Sequence, residues 1–141
     1  MEDIYKTKAT ASGGRVGQAK TEDGSLSVDL VKPKELGGEG DQSGTNPEQL
    51  FACGYSACFL GAMKFSADQQ DVDLPDDTAV EAEVGIGKRD DGQGFGISAN
   101  LTITVPGVDK ETAQKIVDQA HVVCPYSHAI KDTIDVKLNI A

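Results

Sequence analysis

Apolar residues follow two different rhythms along this chain. Between Leu50 and Ala67 they fall at Leu50, Phe51, Ala52, Cys53, Tyr55, Ala57, Cys58, Phe59, Leu60, Ala62, Met63 and Phe65, nearly all the way round a helix. A helix with no continuous polar face buries itself in a core or a subunit interface, so this segment is expected to be central. Asn46-Pro47-Glu48-Gln49 marks its start. Asn46 suits the cap, Pro47 the first helical position and Glu48 the positive helix end, while Gln49 is placed to close a capping box.

Elsewhere the rhythm is that of strands. Residues 3–31 alternate, with turn signals at Ser12-Gly13-Gly14 and Asp23-Gly24, predicting three short antiparallel strands joined by hairpins. Ala79 to Lys88 and Phe95 to Val105 alternate on either side of Asp90-Asp91-Gly92, which predicts a hairpin with one packed and one wet face. Ile134, Val136, Leu138 and Ile140 predict a last strand. A second helix is expected from Val108 to Val123, capped by Asp109, with Ala113, Ile116, Val117 and Ala120 as its apolar stripe and Pro125 as its stop. Gly37, Gly38, Gly40 and Gly44 among charged residues predict a mobile loop without regular structure over 33–44, and Val72 to Thr78 reads as a connector. No repeat or linker divides the chain, so a single α+β domain over residues 1–141 is expected.

Composition sharpens this in two ways. With 38% hydrophobic but only 5% aromatic residues in 141, the core must be thin and largely aliphatic, and pairing with a second copy would bury more apolar surface. The 23 acidic against 13 basic residues give a net charge of −10, which repels a phosphate backbone, so nucleic acid and anionic membranes are not expected partners. The apolar stretches look interrupted short of the roughly 18 residues of a spanning helix. The chain also starts with the acidic Met1-Glu2-Asp3, so a soluble, cytoplasmic protein is expected.

Three cysteines allow at most one intrachain pair and form no dense disulfide framework, which directs attention to thiol chemistry. An ordinary thiol, with a pKa of ~8.5, is only about 3% thiolate at pH 7. Cys58 lies some three turns into its helix, beyond the reach of the helix dipole, so a reactive Cys58 needs a nearby cation. Arg15, in Gly13-Gly14-Arg15-Val16-Gly17, is the candidate, because small neighbours allow close approach and a guanidinium stays charged when desolvated. Glu48, about 80° from Cys58 round the helix, is placed to orient it. The residue types fit equally well an Arg15 in solvent on its hairpin and a Glu48 that merely meets the helix dipole.

Cys124, just before Pro125, reads either as a buried helix-end cysteine or as a thiol that condenses with an oxidised Cys58. Cys53 points about 140° away from Cys58 and reads as a small buried hydrophobe. His121, Cys124 and His128 depart from zinc-ligand spacing, the histidines read as capping or solvated groups, and no metal or cofactor is expected.

Gly13-Gly14-Arg15, Pro33 to Gly38, Gly44 to Ala52, Ala57-Cys58-Phe59-Leu60-Gly61-Ala62 and Ala120 to Ser127 closely resemble the organic hydroperoxide resistance (Ohr) proteins of the Ohr/OsmC family, over nearly the whole chain. The resemblance implies the OsmC-like α+β fold, an intertwined homodimer whose central helices are wrapped by mixed β-sheets. It implies a thiol peroxidase with Cys58 peroxidatic, Cys124 resolving through a Cys58–Cys124 disulfide, and Arg15 and Glu48 organising the site. Alkyl and fatty-acid hydroperoxides would be the substrates, and a dithiol, physiologically a lipoylated protein, the reductant. Phe59, Leu36 and Met63 would supply an apolar pocket, and Tyr126 would pack rather than lend its hydroxyl. An OsmC-branch peroxidase of different preference and a non-catalytic redox sensor are the rival readings.

Overall fold

A computed structural model describes residues 1–40 and 43–141; Asp41 and Gln42, part of the loop predicted over 33–44, lie outside the described residues. The protein is α+β, with six strands and three helices among the described residues. It divides into two compact units, residues 1–50 and 51–141.

The first unit holds an antiparallel meander, β1 (Ala9–Ser12), β2 (Gly17–Thr21) and β3 (Ser27–Leu30), as the alternation and turn signals require. Ala9 pairs with Thr21 and Gly17 with Leu30, so the short first turn fixes the register of the sheet. In the second turn the Asp23 carboxylate accepts hydrogen bonds from the Thr21 hydroxyl and from the backbone N–H and hydroxyl of Ser25. The segment after β3 is more regular than its glycines suggest. Lys34–Leu36 forms a 3-10 turn, because Gly37 takes a left-handed φ of 86° and lets the Gly38 N–H return to the Pro33 carbonyl. Thr45 then pairs with Leu30 and leads the chain into α1 (Pro47–Asp68).

The start of α1 follows the sequence signal with one difference. Asn46 Oδ1 accepts from the Gln49 N–H at 2.9 Å, but Gln49 does not close the predicted box; its Oε1 accepts from the Thr45 hydroxyl at 2.8 Å. The helix runs unbroken for 22 residues, and an 18-residue window has a mean hydropathy of 1.2, enough by length and composition to cross a membrane. The expectation that every apolar stretch falls short of that is therefore corrected: Gly54, Ser56 and Gly61 interrupt the run of large apolar residues without lowering its average below that of a spanning helix.

In the second unit β4 (Ala79–Lys88) and β5 (Phe95–Thr104) form the predicted hairpin, and β6 (Val136–Ile140) lies parallel to β5 on its other side. The crossover from β5 to β6 carries α2 (Lys110–Val123), whose cap Asp109 accepts from the Thr112 N–H at 3.0 Å, and a short α3 (Pro125–Ile130). Core residues obey each element's period. Tyr55, Phe59 and Met63 from α1, Leu101 and Ile103 from β5, and Ile116, Val117 and Ala120 from α2 form one buried cluster. Each of the larger side chains contributes roughly 1.5–3 kcal/mol by leaving water. The other ridge of α1, with Cys53, Ala57, Gly61 and Phe65 at every fourth residue, is exposed in the single chain.

Candidate active site

Arg15 sits in a turn that tolerates little beyond glycine. Gly13 and Gly14 have φ of 74° and 62°, and a Cβ on Gly17 would collide with the Ser12 carbonyl. From this turn the Arg15 guanidinium donates two hydrogen bonds to Glu48, Nη1 to Oε2 at 2.7 Å and Nη2 to Oε1 at 2.6 Å. This bidentate fork fixes the plane of the guanidinium as a single contact would not. The side chains are 34% and 15% exposed, so the pair is partly withdrawn from water. Accepting from Arg15 holds the Glu48 carboxyl below the usual carboxylate range, against the opposing effect of its burial, and the same hydrogen bonds raise Arg15.

The two thiols meet in the second unit. Cys124 Sγ donates to Cys58 Sγ at 3.5 Å, and both cysteines are free. Cys58 is partly buried on α1, whereas Cys124 is fully buried. Cys124 ends α2, its N–H bonding the Ala120 carbonyl at 2.8 Å, and it is also the N-cap of α3. Pro125 explains the double role: it disfavours helical geometry in the residue before it, here φ −62° and ψ 118°, yet suits the first position of a new helix. Because the Cys124 side chain makes no capping bond, its sulfur is left for Cys58.

Burial pushes the Cys58 thiol up, the Tyr126 backbone N–H pulls it down, and the neighbouring Cys124 sulfur raises it again. The net direction is upward. The contacts that bear on Cys58 here, burial and the Cys124 sulfur against the Tyr126 N–H, therefore favour the thiol over the thiolate. The sequence signal for the Tyr126 contribution is the second meaning of Pro125, which suits the first position of a new helix as well as stopping the one before it.

Aromatic packing fixes this corner. The Tyr126 ring stacks on Phe51 with centroids 5.8 Å apart and lies 6.0 Å from Tyr55. Its hydroxyl approaches Gly54 so closely that an added Cβ would stand 3.0 Å from the oxygen. Beneath it, the buried hydroxyls of Tyr55 and Ser127 share a hydrogen bond of 2.8 Å.

Three sequence expectations are corrected. Phe59 and Met63 are wholly buried in the core, because they lie on the face of α1 that packs there, and they line no accessible pocket. Cys53 is exposed in the single chain, because it lies on the opposite ridge of the helix. His121 is half-buried rather than solvated or capping: its Nδ1 has no hydrogen-bond partner among the described residues, and burial pushes its pKa down. An open cavity of about 590 Å³ lies elsewhere, at Arg89, Asp91, Thr133 and Ile134, and contains neither sulfur of the pair.

Residues 38–139 match the family described as OsmC-like protein. The organic hydroperoxide resistance protein of Xanthomonas axonopodis pv. citri (strain 306) is 51% identical over 138 residues, covering 98% of this chain and 95% of that protein. The organic hydroperoxide resistance protein OhrB of Bacillus subtilis (strain 168) is 41% identical over 97% of this chain and 98% of its own. Among solved structures, an organic hydroperoxide resistance protein OsmC from Legionella pneumophila superposes with a TM-score of 0.92 at 43% identity, covering 99% of both chains.

Proposed function

Since the chain belongs to the OsmC-like family, among its organic hydroperoxide resistance proteins, we propose that it is a thiol peroxidase that reduces alkyl and fatty-acid hydroperoxides to alcohols. The observation that carries this reading is the pair of free sulfurs, Cys58 and Cys124, 3.5 Å apart. In the first step the Cys58 thiolate attacks the outer peroxide oxygen; the O–O bond breaks, Cys58 becomes a sulfenic acid, and the departing alkoxide takes a proton to leave as the alcohol. The Cys124 sulfur then displaces hydroxide from the sulfenic acid, its proton leaves with it as water, and a Cys58–Cys124 disulfide forms. Closing from the observed separation to a bond of about 2.05 Å needs only a small shift of the Cys124 turn. A dithiol, physiologically on a lipoylated protein, returns two electrons and two protons by thiol–disulfide exchange.

Arg15 is assigned the role of the cation that stabilises the thiolate, and Glu48 that of holding the guanidinium plane. The observation that supports the assignment is the bidentate pair itself, which fixes the plane of a guanidinium that stays charged when desolvated. Lowering a thiol pKa by ~3 units takes about 4 kcal/mol, within reach of a close, partly buried charge pair. The protein is further read as a cytoplasmic homodimer. The exposed ridge of Cys53, Ala57, Gly61 and Phe65 offers small residues for close helix packing, and Phe65 is 52% exposed in the single chain.

The test is steady-state reduction of tert-butyl hydroperoxide with dihydrolipoamide as reductant. Turnover that exceeds turnover of hydrogen peroxide supports the reading; no turnover with either peroxide removes it.

A further inference from the structure

Tyr55 and Ser127 are both wholly buried, and their hydroxyls form a hydrogen bond of 2.8 Å. Tyr55 lies one turn before Cys58 on α1, and Ser127 lies three residues after Cys124, in the first turn of α3. The bond thus ties the helix that carries one sulfur to the short helix whose N-cap carries the other. The other polar contacts across this junction end on Cys58 itself, from Cys124 Sγ at 3.5 Å and from the Tyr126 N–H, so Tyr55–Ser127 is a link that does not use the reacting sulfur; Tyr126 otherwise meets α1 through ring stacking and its approach to Gly54. Both hydroxyls are cut off from water, so each depends on the other for its partner.

We propose that the Tyr55–Ser127 bond is a positioning latch: it holds the Cys124 turn within bonding range of Cys58, so that an oxidised Cys58 is captured before a second hydroperoxide reaches it. The inference rests on the reading of Cys58 as the residue that hydroperoxide oxidises. The Cys58 sulfenic acid has two fates. Capture by the Cys124 thiol gives the disulfide and water. Attack on a second hydroperoxide breaks another O–O bond and gives the Cys58 sulfinic acid and a second alcohol, a dead end for ordinary thiol reductants. Because the first fate needs the sulfurs to close by only about 1.5 Å, from 3.5 Å to a bond of about 2.05 Å, its rate depends steeply on where α3 is held. Burial also raises the Tyr55 pKa, keeping the phenol protonated and the bond neutral.

The experiment uses reduced full-length protein and measures, by intact mass, the ratio of sulfinic acid to disulfide at increasing tert-butyl hydroperoxide. Tyr55→Phe keeps the ring and removes only the hydroxyl, and Ser127→Ala removes the other partner. The ratio is taken among molecules already oxidised at Cys58, so loss of folded protein or a slower first step does not move it. Each variant is expected to raise sulfinic acid relative to disulfide about tenfold, the order expected from one buried hydrogen bond, and the double variant no further. Wild-type ratios in both variants, or a rise in one alone, would overturn the latch. If the wild type itself forms no disulfide, the peroxidase reading falls and the latch with it; a wild-type disulfide with unmoved variants sinks the latch alone.

Discussion

The Glu48 carboxylate accepts both ends of the Arg15 fork, at 2.6 and 2.7 Å, across 33 residues of chain. The pair holds the Glu48 carboxyl below its ordinary range, so the stability it contributes is present above the unfolded value of ~4.3 and lost as pH falls through the lower folded value. Glu48→Gln is therefore expected to be less stable than wild type by about 1 kcal/mol at pH 7, a modest figure because Arg15 is a third exposed. The gap should shrink below about pH 4 in urea titrations. A gap that stays constant down to pH 3 would show that the charge of Glu48 contributes nothing.

The role assigned to Arg15 predicts the behaviour of the thiol. Alkylation of Cys58 as a function of pH should reveal an inflection below ~8.5 in the wild type and above it in Arg15→Gln. In the variant, burial and the neighbouring Cys124 sulfur would act on Cys58 with no cation to oppose them. The rate with hydroperoxide at pH 7 should fall by about a hundredfold or more, as expected for a thiolate fraction that falls with each unit of pKa. Coincident inflections in the two proteins would take Arg15 out of the site.

Gly54 and Tyr126 form a testable contact of a different kind. Alanine in a helix gains roughly 1 kcal/mol over glycine, but here its Cβ would stand 3.0 Å from the Tyr126 hydroxyl oxygen. Gly54→Ala alone is expected to be neutral or destabilising, whereas in a Tyr126→Ala background it should stabilise by about 0.5–1 kcal/mol. Thermal unfolding of the four proteins of the cycle measures this. Stabilisation of similar size in both backgrounds would mean that the Tyr126 ring does not hold the place it occupies here.

Much of this arrangement was legible in the sequence. The strands around Asp90-Asp91-Gly92, the Asn46 and Asp109 caps and the alternation of the last strand each follow from one local rule acting alone. What escaped was decided where two rules compete or where partners are far apart in the chain. Pro125 both stops α2 and starts α3, and reading only the first meaning hid the Tyr126 N–H that faces Cys58. Tyr55 and Ser127 are 72 residues apart, and no local pattern announces their bond. For Phe59, Met63 and Cys53 residue type alone does not separate pocket from core or surface; the face of α1 on which each lies decides the matter.

The exposed ridge of α1 gives a prediction about assembly. The protein is expected to sediment at twice the 14.8 kDa of its chain, with Cys53 alkylated slowly because a second copy covers it. Phe65→Glu should lower the mass toward that of one chain and speed Cys53 alkylation together. Rapid alkylation of Cys53 in a wild-type dimer would place the interface elsewhere.

Oxidation of Cys58 by an organic hydroperoxide and its capture by Cys124 can be read from intact mass after one equivalent of tert-butyl hydroperoxide. Wild type is expected to lose two hydrogens as the Cys58–Cys124 disulfide, Cys124→Ser to gain one oxygen at Cys58 and a second only when a second equivalent is added, and Cys58→Ser to be left unoxidised at Cys124. Oxidation of Cys124 in Cys58→Ser as fast as in the wild type, or a wild type that gains oxygen without closing the disulfide, would contradict it.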